Sequence, residues 1–348
     1  MSSGSDQVTV VIPTLNGEKR LVKCLESIRN QDISPENIKI IVVDDLSTDN
    51  TRGTCEKYNV DLILVSGKRD IEFSKALGLK QCNTEFVLLM DDDNALTDFN
   101  WLSIGIEKLK ADPSSGGYTS ARYFYHKSDS VANRYASLYG TNDPVVYYLG
   151  QSDKLKKNQM LDFFQRKVKS YKVLDDNHIQ IQLREDRVLT FGSNGFLTRR
   201  GTLNDFKVGP RFFHIDYVRF ISRSATPNLI ISEKPIVHDH AKSLKTFVDK
   251  CRRNGRIYLS DRSQKEIVRE FDYNITPLKY SLLILKIFTL IIPISEALLG
   301  FIRFRDWVWF LHPIMSIWIF LVYANLKINH EWGRLKYFLS IKLFHKSG

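Results

Sequence analysis

Three consecutive carboxylates, Asp91-Asp92-Asp93, follow the uncharged run Phe86-Val87-Leu88-Leu89-Met90. The run reads as a buried strand that delivers acids to the edge of a sheet. Adjacent carboxylates repel one another and cost stability unless positive charge sits among them. A divalent cation carrying a phosphorylated ligand suits this pattern, because oxygen ligands hold the metal and the metal neutralises phosphate. A second acidic pair, Asp44-Asp45, closes the apolar run IKIIVV at 38–43 and is followed by Ser47-Thr48-Asp49-Asn50. Taken alone, that pair also reads as a turn or helix cap.

Residues 8–12 (VTVVI), 38–43, 61–65 (DLILV) and 85–90 read as strands. Helices are predicted after the turn Pro13-Thr14-Leu15-Asn16-Gly17, with Leu21, Leu25 and Ile28 on one face, then over Arg52 to Tyr58, 72–82 and near 99–110. The last stops at Asp112-Pro113, since the residue before proline avoids the helical region. The result is βαβαβαβ with near-continuous apolar strands, the mark of a parallel sheet covered on both faces. Ligands of such sheets bind beyond the C-terminal strand ends, where Pro13-Thr14, Asp44-Asp45 and Asp91-Asp92-Asp93 converge on one site. No G-x-G-x-x-G follows the first strand and no P-loop lysine motif occurs, so phosphate must be held by other means. Residues 118–190 are rich in tyrosine, with a Lys-rich helix or loop expected near 153–171. Farther on come the glycine-rich turn Gly192-Ser193-Asn194-Gly195, the segment Phe212 to Asp216, and Ile236-Val237-His238-Asp239-His240.

The chain has 348 residues, 43% of them hydrophobic, and a formal net charge of +11. That length suits one large α/β domain with an appendage, or two domains. The charge points to an anionic partner: nucleotide phosphates, an anionic bilayer or nucleic acid. Four dispersed cysteines, with no CxxC pair, argue against a zinc or disulfide framework and for a reducing compartment. The polar start MSSGSDQ carries no apolar signal region. Residues 280–302 and 307–326 are apolar, and twenty helical residues reach about 30 Å, a hydrocarbon thickness. Each contains a proline, Pro293 and Pro313, which bundled membrane helices tolerate. These segments are expected to associate with a membrane, and the basic tail to lie in the cytoplasm. A spanning hairpin would place Arg303-Phe304-Arg305-Asp306 at its tip, with two arginines on the wrong side. That tip reads equally as a break between two helices lying in the interface, so both arrangements stay open.

At this point the chain resembles family 2 glycosyltransferases with the GT-A fold. The resemblance rests on Val11-Ile12-Pro13-Thr14-Leu15-Asn16-Gly17, Val42-Val43-Asp44-Asp45-Leu46-Ser47-Thr48-Asp49, Lys75-Ala76-Leu77, Leu89-Met90-Asp91-Asp92-Asp93-Asn94, and Phe213 to Arg223 followed by His238 and His240. It covers residues 8–245 and implies an α/β fold: a Rossmann-like mixed sheet with helices on both faces, plus C-terminal hydrophobic helices. It implies inverting transfer of a sugar from a UDP-sugar, or less readily a GDP-sugar, with Mg²⁺ or Mn²⁺ as cofactor. The acceptor implied is a polyprenyl phosphate or lipid-linked saccharide, with a non-lipid glycan or polysaccharide as the alternative.

Site residues carry over position by position. Asp44 and Asp45 would contact the nucleoside, and Pro13, Thr14 and Asn16 would line its pocket. The DxD-type motif falls on Asp91 and Asp93 as metal ligands, with Asp92 between them against the donor. His238 or His240 would add a ligand; at i, i+2 in an extended segment both face one side, and the choice stays open. Asn194, in the turn 192–195, would approach the donor sugar, and Lys75 reads as a helix residue at the edge of the donor site rather than a catalyst. Asp216 would be the general base. The chain departs from the usual paired acids here, having Ile215-Asp216-Tyr217 and then Arg219. An already ionised phosphate acceptor would need little base help, and Arg219 and Arg223 could then bind it or the diphosphate.

The expected organisation is a transferase domain over 1–245, basic connecting helices over 246–278, and membrane-associated helices with a basic tail over 279–348. The catalytic domain is expected to face the cytoplasm at the cell membrane, and a homo-oligomer is allowed. A sugar-1-phosphate nucleotidyltransferase shares the sheet but usually opens with a Gly-rich loop carrying Arg and Lys, which Pro13 to Gly17 does not resemble. A nucleic-acid-binding module lacks any signature motif here, and the acids would sit badly against phosphate without metal. A membrane scaffold with an inactive transferase domain is the remaining rival.

Overall fold

The computed structural model describes residues 8–65, 70–263 and 275–344. The residues 264–274 of the expected connecting helices and Lys346 of the basic tail lie outside that set. The chain divides into two units. One holds 1–129, 136–141 and 150–240; the other holds 130–135, 142–149 and 241–348.

The first unit opens with β1 (Val8–Thr14), α1 (Glu18–Arg29), β2 (Ile38–Asp44), α2 (Thr51–Lys57), β3 (Asp61–Leu64), α3 (Ile71–Lys80) and β4 (Phe86–Met90). Then follow β5 (Asn94–Leu96), α4 (Trp101–Ala111) and β6 (Ser115–Ser120). In chain order, α5 (Val131–Tyr139), which the division between the units crosses, and α6 (Pro144–Tyr148), which belongs to the second unit, precede β7 (Ser170–Asp175), β8 (His178–Gln182), β9 (Asn194–Arg199), α7 (Arg200–Phe206), α8 (His214–Ile221), β10 (Asn228–Ser232) and β11 (Ile236–His238) of the first. The main sheet runs β3-β2-β1-β4-β9-β6-β10-β8-β7, and β5 pairs with β11 in a separate ribbon. β1 to β4 are parallel, β9 is antiparallel to both β4 and β6, and β8 runs antiparallel between β10 and β7.

Alternation along the strands fixes which helix covers which face. Val8, Val10 and Ile12 share a core with Leu21, Cys24, Leu25 and Ile28 of α1 and with Trp101, Leu102 and Ile106 of α4. Ile41 and Val43 face the other way, against Phe73 and Leu77 of α3. On that side Phe196 of β9 meets His214 and Tyr217 of α8, and the Tyr217 hydroxyl lies 2.6 Å from Thr198 Oγ1. Of the two forms expected for the Lys-rich stretch near 153–171, helix or loop, the structure shows the loop. Residues 161–166 form a short 3₁₀ turn and β7 begins at Ser170. Lys154 and Lys167 instead lie buried, each donating to a backbone carbonyl, Ser120 O at 2.8 Å and Ser152 O at 2.9 Å.

The second unit includes α9 (Leu244–Ser263), α10 (Pro277–Phe288), α11 (Ile291–Phe304) and α12 (Leu311–Phe344). The apolar segment 280–302 is broken, with α10 and α11 bent by 54°. The break falls at Thr289-Leu290, where Leu290 takes φ 61°. Pro293 accounts for its place: its ring clashes with the carbonyl four residues earlier, at Thr289, and it has no N–H to donate there. Trp307–Arg334 is a helical stretch of 28 residues that contains an 18-residue window of mean hydropathy 1.6, long and apolar enough to cross a membrane. Asp306, 2% exposed, takes a two-pronged ion pair from Arg134 and caps Val308 N–H at 3.0 Å. The tyrosine hydroxyls of Tyr147 and Tyr148 donate to Glu296 at 2.6 and 3.2 Å, and the Tyr135 hydroxyl lies 2.8 Å from His312 Nδ1.

Gly78 lets α3 lie flat on the sheet: a Cβ there would come within 2.6 Å of Val11 Cγ1 and 3.0 Å of Val43 Cγ2. Gly78→Val is expected to destabilise the fold by about 1–3 kcal/mol through overpacking, read as a lowered midpoint in urea unfolding.

Candidate active site

The three acids leave β4 in three directions, and each meets a different basic group. Asp91 Oδ1 lies 3.3 Å from Lys75 Nζ, which also reaches Glu72 at 3.9 Å. Asp92 accepts from Arg20 Nε at 3.2 Å and Nη2 at 3.0 Å, and from Thr14 Oγ1 at 2.7 Å. Asp93 Oδ1 lies 3.6 Å from His238 Nε2. The backbone makes the splay possible. Asn94 closes the turn by accepting from Asp91 N–H at 3.1 Å, and Asp239 N–H donates to Asp93 O at 2.8 Å. β11 therefore carries His238 to the acids by pairing His238 with Asn94.

Burial pushes the Asp92 carboxyl above its usual range, against the opposing pull of the Arg20 guanidinium. Burial alone would lower the Lys75 ammonium, but Asp91 and Glu72 carry it above its ordinary value. Gly17 belongs to the same device, because a Cβ there would stand 2.1 Å from Asp92 Oδ2 and 2.3 Å from Thr14 Oγ1. A side chain at 17 would fill the space that the buried acid needs.

The loops after β1 and β2 are laced together beside the acids. Asn16, at φ 49°, accepts from Thr48 N–H at 2.8 Å, and its own N–H donates to Ser47 Oγ at 2.8 Å. Asp45 N–H donates to Thr14 O at 3.0 Å. The buried Asp44 carboxylate accepts from Ser47 N–H at 3.0 Å and from its hydroxyl at 2.5 Å, so in this structure it serves a local turn. Asp45 is half-buried at the strand end, and Pro13 is buried.

On the other side of β4, Asn194 Nδ2 donates to the Tyr123 hydroxyl at 3.2 Å, and the Tyr123 ring lies 5.0 Å from that of His238. His240 is buried, its ring 5.0 Å from His238. Asp216 is buried in the first turn of α8. The segment ahead of α8 docks on α3, with Phe212 N–H donating to Glu72 O at 2.9 Å and Arg211 paired with Asp70 at 2.6 Å. That docking sets the start of α8 against the helix that carries Lys75.

Asp93 and His238 offer an oxygen and a nitrogen donor on adjoining elements. Among the described residues, no three His, Cys, Asp or Glu groups gather into a cage that would hold a metal alone. Mg²⁺ and Mn²⁺ need no such cage, since one or two protein ligands with substrate phosphates suffice. The pair fits a cation shared with a diphosphate. Asp91 is turned to Lys75 instead.

Sequence reasoning missed Arg20, Gly17 and Tyr123. Arg20 left one signal: a basic residue in the first turn of the helix that follows the first strand. Tyr123 left none, since its contacts with Asn194 and His238 come from distant parts of the chain.

Residues 9–177 match the model for glycosyl transferase family 2. Over 91 residues the chain is 35% identical to the poly(ribitol-phosphate) beta-N-acetylglucosaminyltransferase TarS of Staphylococcus aureus, covering 25% of this chain and 16% of that protein. Over 96 residues it is 33% identical to the GalNAc(5)-diNAcBac-PP-undecaprenol beta-1,3-glucosyltransferase of Campylobacter jejuni, covering 26% and 30%. The chain thus spans less than a third of the length of either relative. The mannosyltransferase PcManGT of Pyrobaculum calidifontis, solved with GDP-Man and Mn²⁺, superposes with a TM-score of 0.52 at 14% identity over 92% of this chain and 87% of that one. That likeness establishes the GT-A type of fold.

Thr14→Val removes a hydroxyl from a buried carboxylate without changing the strand. It is expected to cost about 1–3 kcal/mol of stability, measured by urea unfolding at neutral pH.

Proposed function

From the match of residues 9–177 to the model for glycosyl transferase family 2, we propose that the chain is an inverting transferase of that family. It moves a sugar from a nucleotide-sugar, a UDP-sugar before a GDP-sugar, to a lipid-linked acceptor. The observation that carries this reading is the splayed acid triple at the end of β4, facing the laced loops that follow β1 and β2. Such an edge receives a nucleotide on one side and its diphosphate at the acids.

The nucleoside would lie along Pro13, Thr14, Asn16 and Asp45, with Asp44 holding the loop that shapes the pocket. Asp91 and Asp92 would face the donor, and Asn194 the sugar. Asp93 and His238 would hold Mg²⁺ or Mn²⁺, with His240 beside them. When bound, the cation supplies charge neutralisation at the diphosphate. In the transfer, the acceptor oxygen attacks the anomeric carbon and the bond from that carbon to the phosphate oxygen breaks. The nucleoside diphosphate leaves with the bonding electrons, and Asp216 takes the proton from the acceptor hydroxyl. Lys75, held between Asp91 and Glu72, places a positive charge near the departing oxygens.

The lipid-linked acceptor is supported by the second unit. Leu285, Ile291, Leu299, Ile302 and Ile314 are each more than half exposed along α10 to α12. Contiguous apolar surface of that extent marks an interaction site, and helices of this composition meet a bilayer. The unit would thus hold the enzyme on the membrane where a lipid-linked acceptor resides. Two relatives act by name on undecaprenol- or dolichyl-linked acceptors, which is in keeping with this class.

Nucleoside diphosphate release from a panel of UDP- and GDP-sugars, with membrane extract as acceptor, should require Mn²⁺ or Mg²⁺. Asp216→Asn is expected to lower kcat/KM about 10²–10⁴-fold, and Asp93→Asn to abolish stimulation by the cation. Transfer that survives both changes, or no turnover of any donor, would sink the reading. The full chain should also co-sediment with phosphatidylglycerol vesicles, and Leu285→Glu with Leu299→Glu should leave it in the supernatant.

A further inference from the structure

Beside the acid triple, and next to Lys75, lie buried donors that the reading above does not employ: His214, Ser193 and Lys154. His214 opens α8 with only 6% of its surface exposed. Its Nδ1 lies 3.4 Å from Ser193 Oγ, whereas Nε2, on the opposite edge of the ring, meets no hydrogen-bonding partner among the described residues. A buried imidazole edge left so is costly unless something completes it. Burial holds the ring well below its ordinary pKa, and the Lys75 and Lys154 ammonium groups push it the same way.

Both lysines are buried, at 5% and 2% exposed. Lys75 reaches Asp91 at 3.3 Å and Glu72 at 3.9 Å, and burial pushes the Glu72 carboxyl toward its neutral form. Lys154 donates to Ser120 O at 2.8 Å, pairs with Asp153 at 3.2 Å, and lies over the rings of Tyr123 and Phe191. The turn 191–195 ties the group to the donor site: Phe191 lies under Lys154, Ser193 meets His214, and Asn194 meets Tyr123. An open imidazole edge beside two buried ammonium groups favours an anion over a cation. Ammonium groups and an imidazole N–H suit the oxygens of a phosphoryl group.

We propose that Lys75, Lys154 and His214, with Ser193 fixing the imidazole, form a phosphoryl-binding site next to the acid triple. The proposal rests on the transferase reading for its role. The phosphoryl group belongs either to the leaving nucleoside diphosphate or to a phosphate-bearing acceptor. If Ser193 O–H donates to Nδ1, Nε2 carries the proton and points it at the anion.

The test is calorimetric binding by the full chain in Mn²⁺ buffer. The probes are UDP, GDP, the bare nucleosides and farnesyl phosphate, with His214→Phe and Lys154→Met as variants. Each variant should keep its affinity for nucleoside and lose about tenfold, the worth of one charge-assisted hydrogen bond, toward a phosphorylated probe. Loss confined to the nucleoside diphosphate assigns the site to the leaving group, and loss confined to farnesyl phosphate assigns it to the acceptor. Ser193→Ala, which removes one hydroxyl, replaces either variant that fails to fold and should weaken the same probe. Unchanged affinity for every phosphorylated probe in folded variants overturns the proposal, as does wild-type protein that binds none of them. Wild-type protein that binds farnesyl phosphate, with loss in the variants, but binds no nucleotide would remove the transferase reading and leave the phosphoryl site standing.

Discussion

The constraint on which the site depends is electrostatic: three neighbouring carboxylates must leave a buried strand without facing one another. The fold meets it by giving each acid a basic group from a different element. Arg20 comes from α1, Lys75 from α3 and His238 from β11. Breaking a buried ion pair by removing one partner is far more costly than never having built it. The acids therefore dictate where those three elements lie. Packing follows the same demand. Gly17 keeps the space around Asp92 open, and Gly78 lets α3 approach β1 closely enough for Lys75 to reach Asp91.

The first ninety residues were legible because period and composition agree there. Apolar strands alternate with helices, and the four strands found are within two residues of those read from the sequence. The ends of those strands, with Pro13, Asp44 and Asp91, were legible for the same reason. Beyond residue 120 the two signals separate. Strand β9 follows the turn 192–195 as the composition suggests. That it enters the sheet between β4 and β6, antiparallel to both, has no local signature. Lys154 and Lys167 show the limit most clearly. Lysines in a polar stretch read as a solvated helix or loop, whereas here they fold inward and brace carbonyls of Ser120 and Ser152. Only tertiary structure supplies those partners.

The second unit places paired polar groups among apolar ones. Arg134 binds Asp306, Tyr147 and Tyr148 donate to Glu296, and Tyr135 lies beside His312, with Ile287, Trp309, Met315 and Ile319 buried and Leu285, Leu299 and Ile302 exposed. Polar groups packed among apolar neighbours must find partners, because an unpaired one is costly there. The same sequence features read as a hydrophobic segment with stray charges. In the fold, each of Glu296 and Asp306 has a hydrogen-bond donor, which explains why an apolar run tolerates them.

The acid triple and the lysine–histidine group are of opposite sign and share Lys75. On the proposed reading, a phosphorylated ligand between them would meet carboxylates that hold a cation on one side and direct donors on the other. Charge developing on a departing diphosphate would then be answered from both directions. Preorganised donors in a dry pocket are worth more than the same donors in water, because they need no reorientation as charge shifts. Lys75 has a particular place in this arrangement. It is bound to Asp91 as the structure stands, so an incoming metal or phosphate competes with an internal partner rather than with solvent. Such competition lowers affinity for the ground state but leaves the ammonium positioned for the moment when negative charge appears. On the proposed reading, the buried Lys75 ammonium held by Asp91 would both stabilise the end of the strand and keep a donor ready for the chemistry.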